Sequence, residues 1–108
     1  MTVKQLADKL ELSCATLPCP EKEIDGVYIG DLLSWVMGRA EVGNVWITIM
    51  SNINVIAVAT LADLACVILA EGVTLDEKTL ETAAEKSVNI LLTKLSAYEI
   101  AVRLHDLL

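Results

Sequence analysis

Apolar positions along this chain follow two rhythms, a helical spacing of three to four and short unbroken runs, and the switches between them mark the elements. Val3, Leu6, Ala7 and Leu10 share one helical face while Lys4, Asp8 and Lys9 share the other, and Thr2 with Gln5 makes a capping box ahead of them. A short strand follows at Ser13 to Thr16, then a loop from Leu17 to Lys22 that holds Pro18 and Pro20. Ile24 to Ile29 mixes strand formers with Asp25 and Gly26, the pattern of a short or bulged strand. Gly30 and Asp31 then open a helix through about Arg39, with Leu32, Leu33, Val36 and Met37 as its buried stripe. Glu41 to Asn44 is a turn hinged on Gly43. Val45 to Met50, VWITIM, is the clearest strand: β-branched, aromatic and uncharged.

The stretch from Asn54 to Gly72 sets the fold class. Val55 to Ala59 is an apolar run too brief for a helix, which predicts a strand; Thr60 with Asp63 predicts a helix start, and Cys66 to Ala70 a second buried strand. Ser51 to Asn54 is then a turn of a few residues. Parallel neighbours need a crossover of a dozen or more, so the strands flanking that turn are expected to pair antiparallel, giving a mixed sheet. Thr74 with Glu77 predicts a further capping box and a helix to about Lys86, with Leu80, Ala83 and Ala84 inward. Asn89 to Thr93 is a strand, and Ser96 with Glu99 caps a last helix striped by Ile100, Ala101, Leu104, Leu107 and Leu108. Strands alternating with helices predict a single α/β domain over residues 1–108: a mixed, mainly parallel sheet of about five strands, covered by helices. The pattern holds no linker and no repeat.

Composition narrows this further. The 108 residues are 55% hydrophobic, enough for one core, but the chain has no Phe, so that core must be built from Leu, Ile, Val and Ala. Eight Lys and Arg against fifteen acids leave a net charge of −7, which excludes nucleic acid and an anionic membrane surface as partners. Val55 to Ala70 is too short to span a bilayer, and Asp63 near its centre would cost about 3 kcal/mol there. The amphipathic, charged N-terminus is unlike a signal peptide, and cytoplasmic residence is the expectation. Of the three cysteines, Cys66 lies in an apolar run and reads as core, while Cys14 and Cys19 flank a turn where a disulfide could form but read better as free thiols in a reducing compartment.

Candidate chemistry is sparse. Helix starts near Gly30, Thr60, Thr74 and Ser96 offer unpaired N–H groups that attract phosphate, with Lys94 the nearest cation. Against a phosphate there stand Asp31, Asp63, Asp76 and Glu77, which already complement the helix dipole. Asp31, directly after a strand, suits a ribose hydroxyl or a metal, and suits better the role of a first-turn acid. His105, the only histidine, has no second ligand at metal spacing, so no metal or cofactor is expected. No nucleophile stands beside a base, so no catalytic residue is nominated. Trp35 and Trp46 are either core or partner interface, and Leu107 with Leu108 offers a second candidate surface. An apolar surplus in so small a domain points to a shared surface and a homodimer.

The ladder Val55 to Ala59, Thr60 to Leu64 and Val67 to Gly72, with Ile90 to Leu92 and a helix opening between Lys94 and Tyr98 downstream, resembles the DRTGG-domain family. Upstream, Ile24 to Ser34 is similar to the corresponding segment of its short stand-alone members. That family is named for a short strand, a GDR-type turn, a helix, then a strand ending in Thr-Gly-Gly. This chain carries Thr60 and Leu61 at the expected place of the Asp-Arg pair, and Ala70, Glu71 and Gly72 at that of Thr-Gly-Gly. The resemblance implies regulation, since similar domains lie between cystathionine-β-synthase-type domains in regulated pyrophosphatases and inside long phosphotransacetylases. The N-terminal domain of HPr kinase/phosphatase is a more distant cousin, but no P-loop is present here, so kinase activity is not implied. The expected function is a non-catalytic regulatory or scaffolding module, homodimeric and in contact with a regulatory protein partner. The alternative is an adenine-nucleotide sensor for AMP, ATP or diadenosine polyphosphates, using Gly30, Asp31, Thr60, Gly72, Lys94 and Ser96.

Overall fold

The computed structural model describes residues Met1 to Leu108. Its elements run α1 (Val3–Lys9), β1 (Ser13–Thr16), β2 (Val27–Ile29), α2 (Leu33–Arg39), β3 (Val45–Thr48), α3 (Asn54–Leu61), β4 (Cys66–Leu69), α4 (Glu77–Glu85), β5 (Ile90–Leu92) and α5 (Ala97–Leu107). The five strands form one sheet in the order β1-β5-β4-β3-β2. β2, β3, β4 and β5 are parallel, and β1 joins β5 antiparallel.

Alternation along the strands divides the core in two. Val45, Ile47, Cys66, Ile68 and Leu91 pack with Val3, Leu6 and Ala7 of α1 and Ile100 and Leu104 of α5. Trp46, Val67, Leu69 and Ile90 pack with Val36 of α2, Val55, Ile56 and Ala59 of α3, and Ala83 of α4. A period of two on each strand thus sends one set of side chains to each helical layer. β3 and β4 are buried at every position, as expected for parallel strands covered on both faces. No helix is long and apolar enough to cross a membrane.

The α/β class, the five-stranded mixed sheet and the α1 and α5 capping boxes agree with the sequence, but the central stretch does not. Val55 to Ala59 belongs to helix α3, and Thr60 lies in its last turn, not at a helix start. α3 carries only two polar residues, Asn54 and Thr60, and no charge, so its polar phase is too weak to separate a helix from a buried strand. The turn after β3 therefore leads into a crossover helix, and β3 and β4 pair in parallel. The sheet is mixed because of β1 instead. Three shorter corrections follow. α2 begins at Leu33, not at Gly30, and of its expected stripe Leu32 and Met37 are exposed. α4 is capped by Asp76, whose carboxylate accepts from the Thr79 N–H, and not by Thr74, while Ala84 faces solvent. The β2 strand is confined to Val27–Ile29 because Gly26 takes a positive φ just before it.

Candidate functional site

The loops leaving the C-terminal ends of β2, β3, β4 and β5 share one edge of the sheet, where open α/β folds bind their ligands. Gly30 and Asp31 follow β2, Glu71 and Gly72 follow β4, and Lys94 and Ser96 follow β5. Five of the six sequence-nominated ligand residues therefore lie on that edge, but Gly30 and Asp31 are separated from the β5 loop by β3 and β4, and only Gly72 and Lys94 line a common cavity. Thr60 is not on that edge; it sits at the far end of α3, where its hydroxyl donates to the Ile56 carbonyl (2.9 Å).

Most of the polar groups on that edge are already engaged. The Asp31 carboxylate accepts from the Thr48 hydroxyl (2.8 Å) and the Ile49 N–H (3.1 Å), tying the β2–α2 loop to the end of β3. It is not a first-turn acid of α2, because the helix has not yet begun. The Gly30 carbonyl accepts from the indole N–H of Trp46 (2.8 Å), and its N–H donates to the Ile47 carbonyl (3.2 Å). The Gly72 N–H donates to Thr93 (2.9 Å) and the Glu71 N–H to Leu95 (2.9 Å), which stitches the β4 turn to the β5 loop. Ser96 caps α5 and forms the expected box with Glu99. What remains open beside Gly72, Thr93 and Lys94 is a cavity of about 170 Å³, smaller than the roughly 300–1,000 Å³ of a drug-sized ligand pocket.

The Ala70–Val73 turn explains a residue pattern. Glu71 and Gly72 both take positive φ (62° and 75°), and the Val73 N–H donates back to the Ala70 carbonyl (3.2 Å). Two central residues at positive φ are the signature of a turn that glycines suit best. The turn that leads from β3 into the crossover helix α3 is Ile49 to Ile53, and it holds no Asp and no Arg.

The largest cleft lies at the opposite edge of the sheet and was not legible in the sequence. It encloses about 560 Å³ and is lined among others by Cys19, Lys22, Thr60, Asp63, Lys86 and Ser87. The loop bearing Cys19 folds back there because buried Asn89 holds it. The Asn89 side chain accepts from the Cys19 N–H (2.9 Å) and donates to the Cys19 and Ala65 carbonyls (2.7 and 3.0 Å). Lys22 pairs with Asp63 (2.8 Å) across the cleft. α3 and α4 both end at this cleft, with Asp63 and Ser87 in left-handed closing positions. Helix C-termini carry partial negative charge, so this end of the sheet disfavours a phosphate.

The two tryptophans part company. Trp46 is fully buried, so its nomination as an interface residue fails; on β3 its ring packs under α3 while its N–H reaches Gly30. Trp35 is half-exposed on α2, with the Arg39 guanidinium 3.8 Å from its ring centroid. Leu107 packs partly against the α1–α5 core and Leu108 is exposed. All three thiols are free. Cys66 is buried, and loss of solvation pushes its pKa up to about 12.

A model of the DRTGG domain matches residues 22–107. Among solved structures, the chain is similar to the CBS and DRTGG domains of the regulatory region of Clostridium perfringens pyrophosphatase, a structure complexed with its activator diadenosine tetraphosphate. The TM-score is 0.71 at 13% identity, over 93% of this chain. The match spans only 44% of that structure, so the likeness concerns the fold of one part of it. No curated protein sequence matches the chain.

Proposed function

Since this chain belongs to the DRTGG-domain family, we propose that it is a non-catalytic regulatory module that works as a homodimer and through contact with a protein partner. The observation that carries this reading is the placing of its exposed apolar side chains. Leu32 and Trp35 on and beside α2, and Ile53 and Leu61 on and beside α3, all stand outward on one helical layer. Between Glu41 and Asp63 the sequence carries no charged residue at all. Apolar side chains exposed together on one helical layer, away from charge, mark a binding face. Light scattering at micromolar concentration tests the reading: twice the chain mass of 11.7 kDa is expected, and a monomer across that range overturns it.

Adenine-nucleotide sensing is the second reading, and the placing of Gly30, Asp31, Gly72, Lys94 and Ser96 along one sheet edge, with Gly72 and Lys94 sharing a cavity, favours it. The solved neighbour carries a diadenosine tetraphosphate activator, which makes this ligand class the one to try. The internal hydrogen bonds of Asp31 and Gly72 and the small cavity weigh against it. Calorimetric titration with AMP, ATP and diadenosine tetraphosphate decides. Heat of binding that disappears in Lys94→Ala supports it, and no heat at millimolar ligand ends it.

A further inference from the structure

α3 has no charged face, and its only polar side chains are Asn54 and Thr60. Val55, Ile56, Val58 and Ala59 are buried against the sheet and its neighbours, yet the exposed face carries Ala57 and Leu61, with Ile53 at the N-cap, at spacings of four and flanked by Asn54 and Thr60. Ile53 is 45% and Leu61 73% exposed. A helix with this little polar surface is normally buried over most of its circumference. Here the single chain covers only half of it. The outward face borders a groove of about 350 Å³ between α3 and α4, closed on the far side by Thr82 and Lys86.

We infer that α3 is the self-association surface, packing antiparallel against α3 of a second copy about a two-fold axis at Ala57. This inference rests on the homodimer reading above and names its interface. Three observations select a second copy as occupant. First, large, small, large at spacings of four reads the same in both directions. A two-fold at Ala57 sets each Ile53 opposite the partner's Leu61, the self-complementarity that an isologous contact requires. The small residue at the centre lets the helices approach, and the groove beside it receives the incoming Leu61. Second, the chain carries −7 overall, and two copies repel wherever acids face each other. α3 and the turn before it carry no charge, so this is where like chains meet without that penalty. Third, a stable dimer covers about 800 Å² on each partner, somewhat over half of it apolar. A stripe on one short helix falls below that alone. α2 and α4 flank α3 in the same layer, and exposed Leu32 together with the part of Trp35 not covered by the Arg39 guanidinium extends the apolar area beyond it.

The test is a pair of charge insertions read by sedimentation equilibrium, with far-ultraviolet circular dichroism confirming the fold. Ala57→Glu changes an exposed position, and the two carboxylates that the two-fold sets against each other are expected to raise the dissociation constant about a hundredfold or more. Ile29→Lys on the open edge of β2 is expected to leave it unchanged. A dimer that survives Ala57→Glu, or one that is lost only in Ile29→Lys, overturns the α3 interface while the homodimer reading stands. A wild-type monomer removes that reading itself. As a second measurement, Ala57→Cys in a Cys14→Ser, Cys19→Ser background is expected to cross-link into a covalent dimer on mild oxidation, because the two-fold brings the position against its own copy and Cys66 is sealed in the core. A chain that stays uncross-linked while sedimenting as a dimer overturns the proposed axis.

Discussion

Two buried side chains show how much a single residue decides in this fold. Asn89 places a polar side chain almost wholly inside the protein and satisfies it three times, against both backbone groups of Cys19 and the carbonyl of Ala65. Replacing it leaves buried donors and acceptors without partners, so Asn89→Ala is expected to cost about 2–3 kcal/mol, seen as a lower urea midpoint with an unchanged slope. Cys66 is the contrary case, a thiol used as a hydrophobe. Its folded pKa, raised to about 12 by burial, lies above the value of an exposed thiol. The unfolded chain therefore releases this proton first as pH rises. The sign is a stability that is fully present below about pH 8.5 and lost progressively as pH climbs toward 12. Cys66→Ala should remove that component of the alkaline loss. A thiol reagent at neutral pH should label Cys14 and Cys19 promptly and Cys66 only when the chain opens. That Cys66 is core was legible from its apolar neighbours; that Asn89 clamps a loop from the other end of the chain was not, because a hydrogen bond between distant residues leaves no local pattern.

Among the elements, local chemistry and tertiary context contribute unequally. The Ser96–Glu99 box forms as the sequence requires, and Ser96→Ala is expected to lose about 1 kcal/mol. Turns of positive φ offer the opposite experiment. Glu71 occupies a left-handed position next to Gly72, where glycine adopts the same backbone without the Cβ clash. Glu71→Gly is therefore expected to raise stability by about 0.5–1 kcal/mol in urea denaturation, and Gly72→Ala to lower it by a similar amount. α3 is where element-level reasoning failed. Capping boxes at Thr2 and Ser96 announced α1 and α5 because their polar faces and cap residues are local signals. α3 lacks a capping Ser, Thr or Asp at its N-cap, Ile53, and has no charged residue to mark a polar face. An apolar run without phase fits a buried strand as well as a helix, and only packing separates them.

For the molecule as a whole, the association reading makes stability depend on concentration. A dimer that buries the α3 face binds the folded state only, so Tm is expected to rise with protein concentration over the micromolar range in the wild type. In Ala57→Glu the same series should be flat. Because the face is uncharged, moderate salt should weaken neither the dimer nor this trend, in contrast with an interface held by ion pairs. The few ion pairs of the chain, Lys4–Asp8, Lys22–Asp63 and the N-terminus with Glu23, lie at the surface and add little in either state.

The α/β class, the capped helices α1 and α5, the buried β3 and β4, the acidic balance and the apolar surplus could be read from the residues in order, because each depends on neighbours a few positions apart. Which strands pair, that β1 alone runs against the others, that Thr60 stands at the wrong end of its helix to join Gly72 and Lys94, and that Trp46 is sealed while Trp35 is not, were decided only when the sheet assembled. Those outcomes rest on contacts between segments far apart in the chain, where no short-range spacing records which surface another segment will cover.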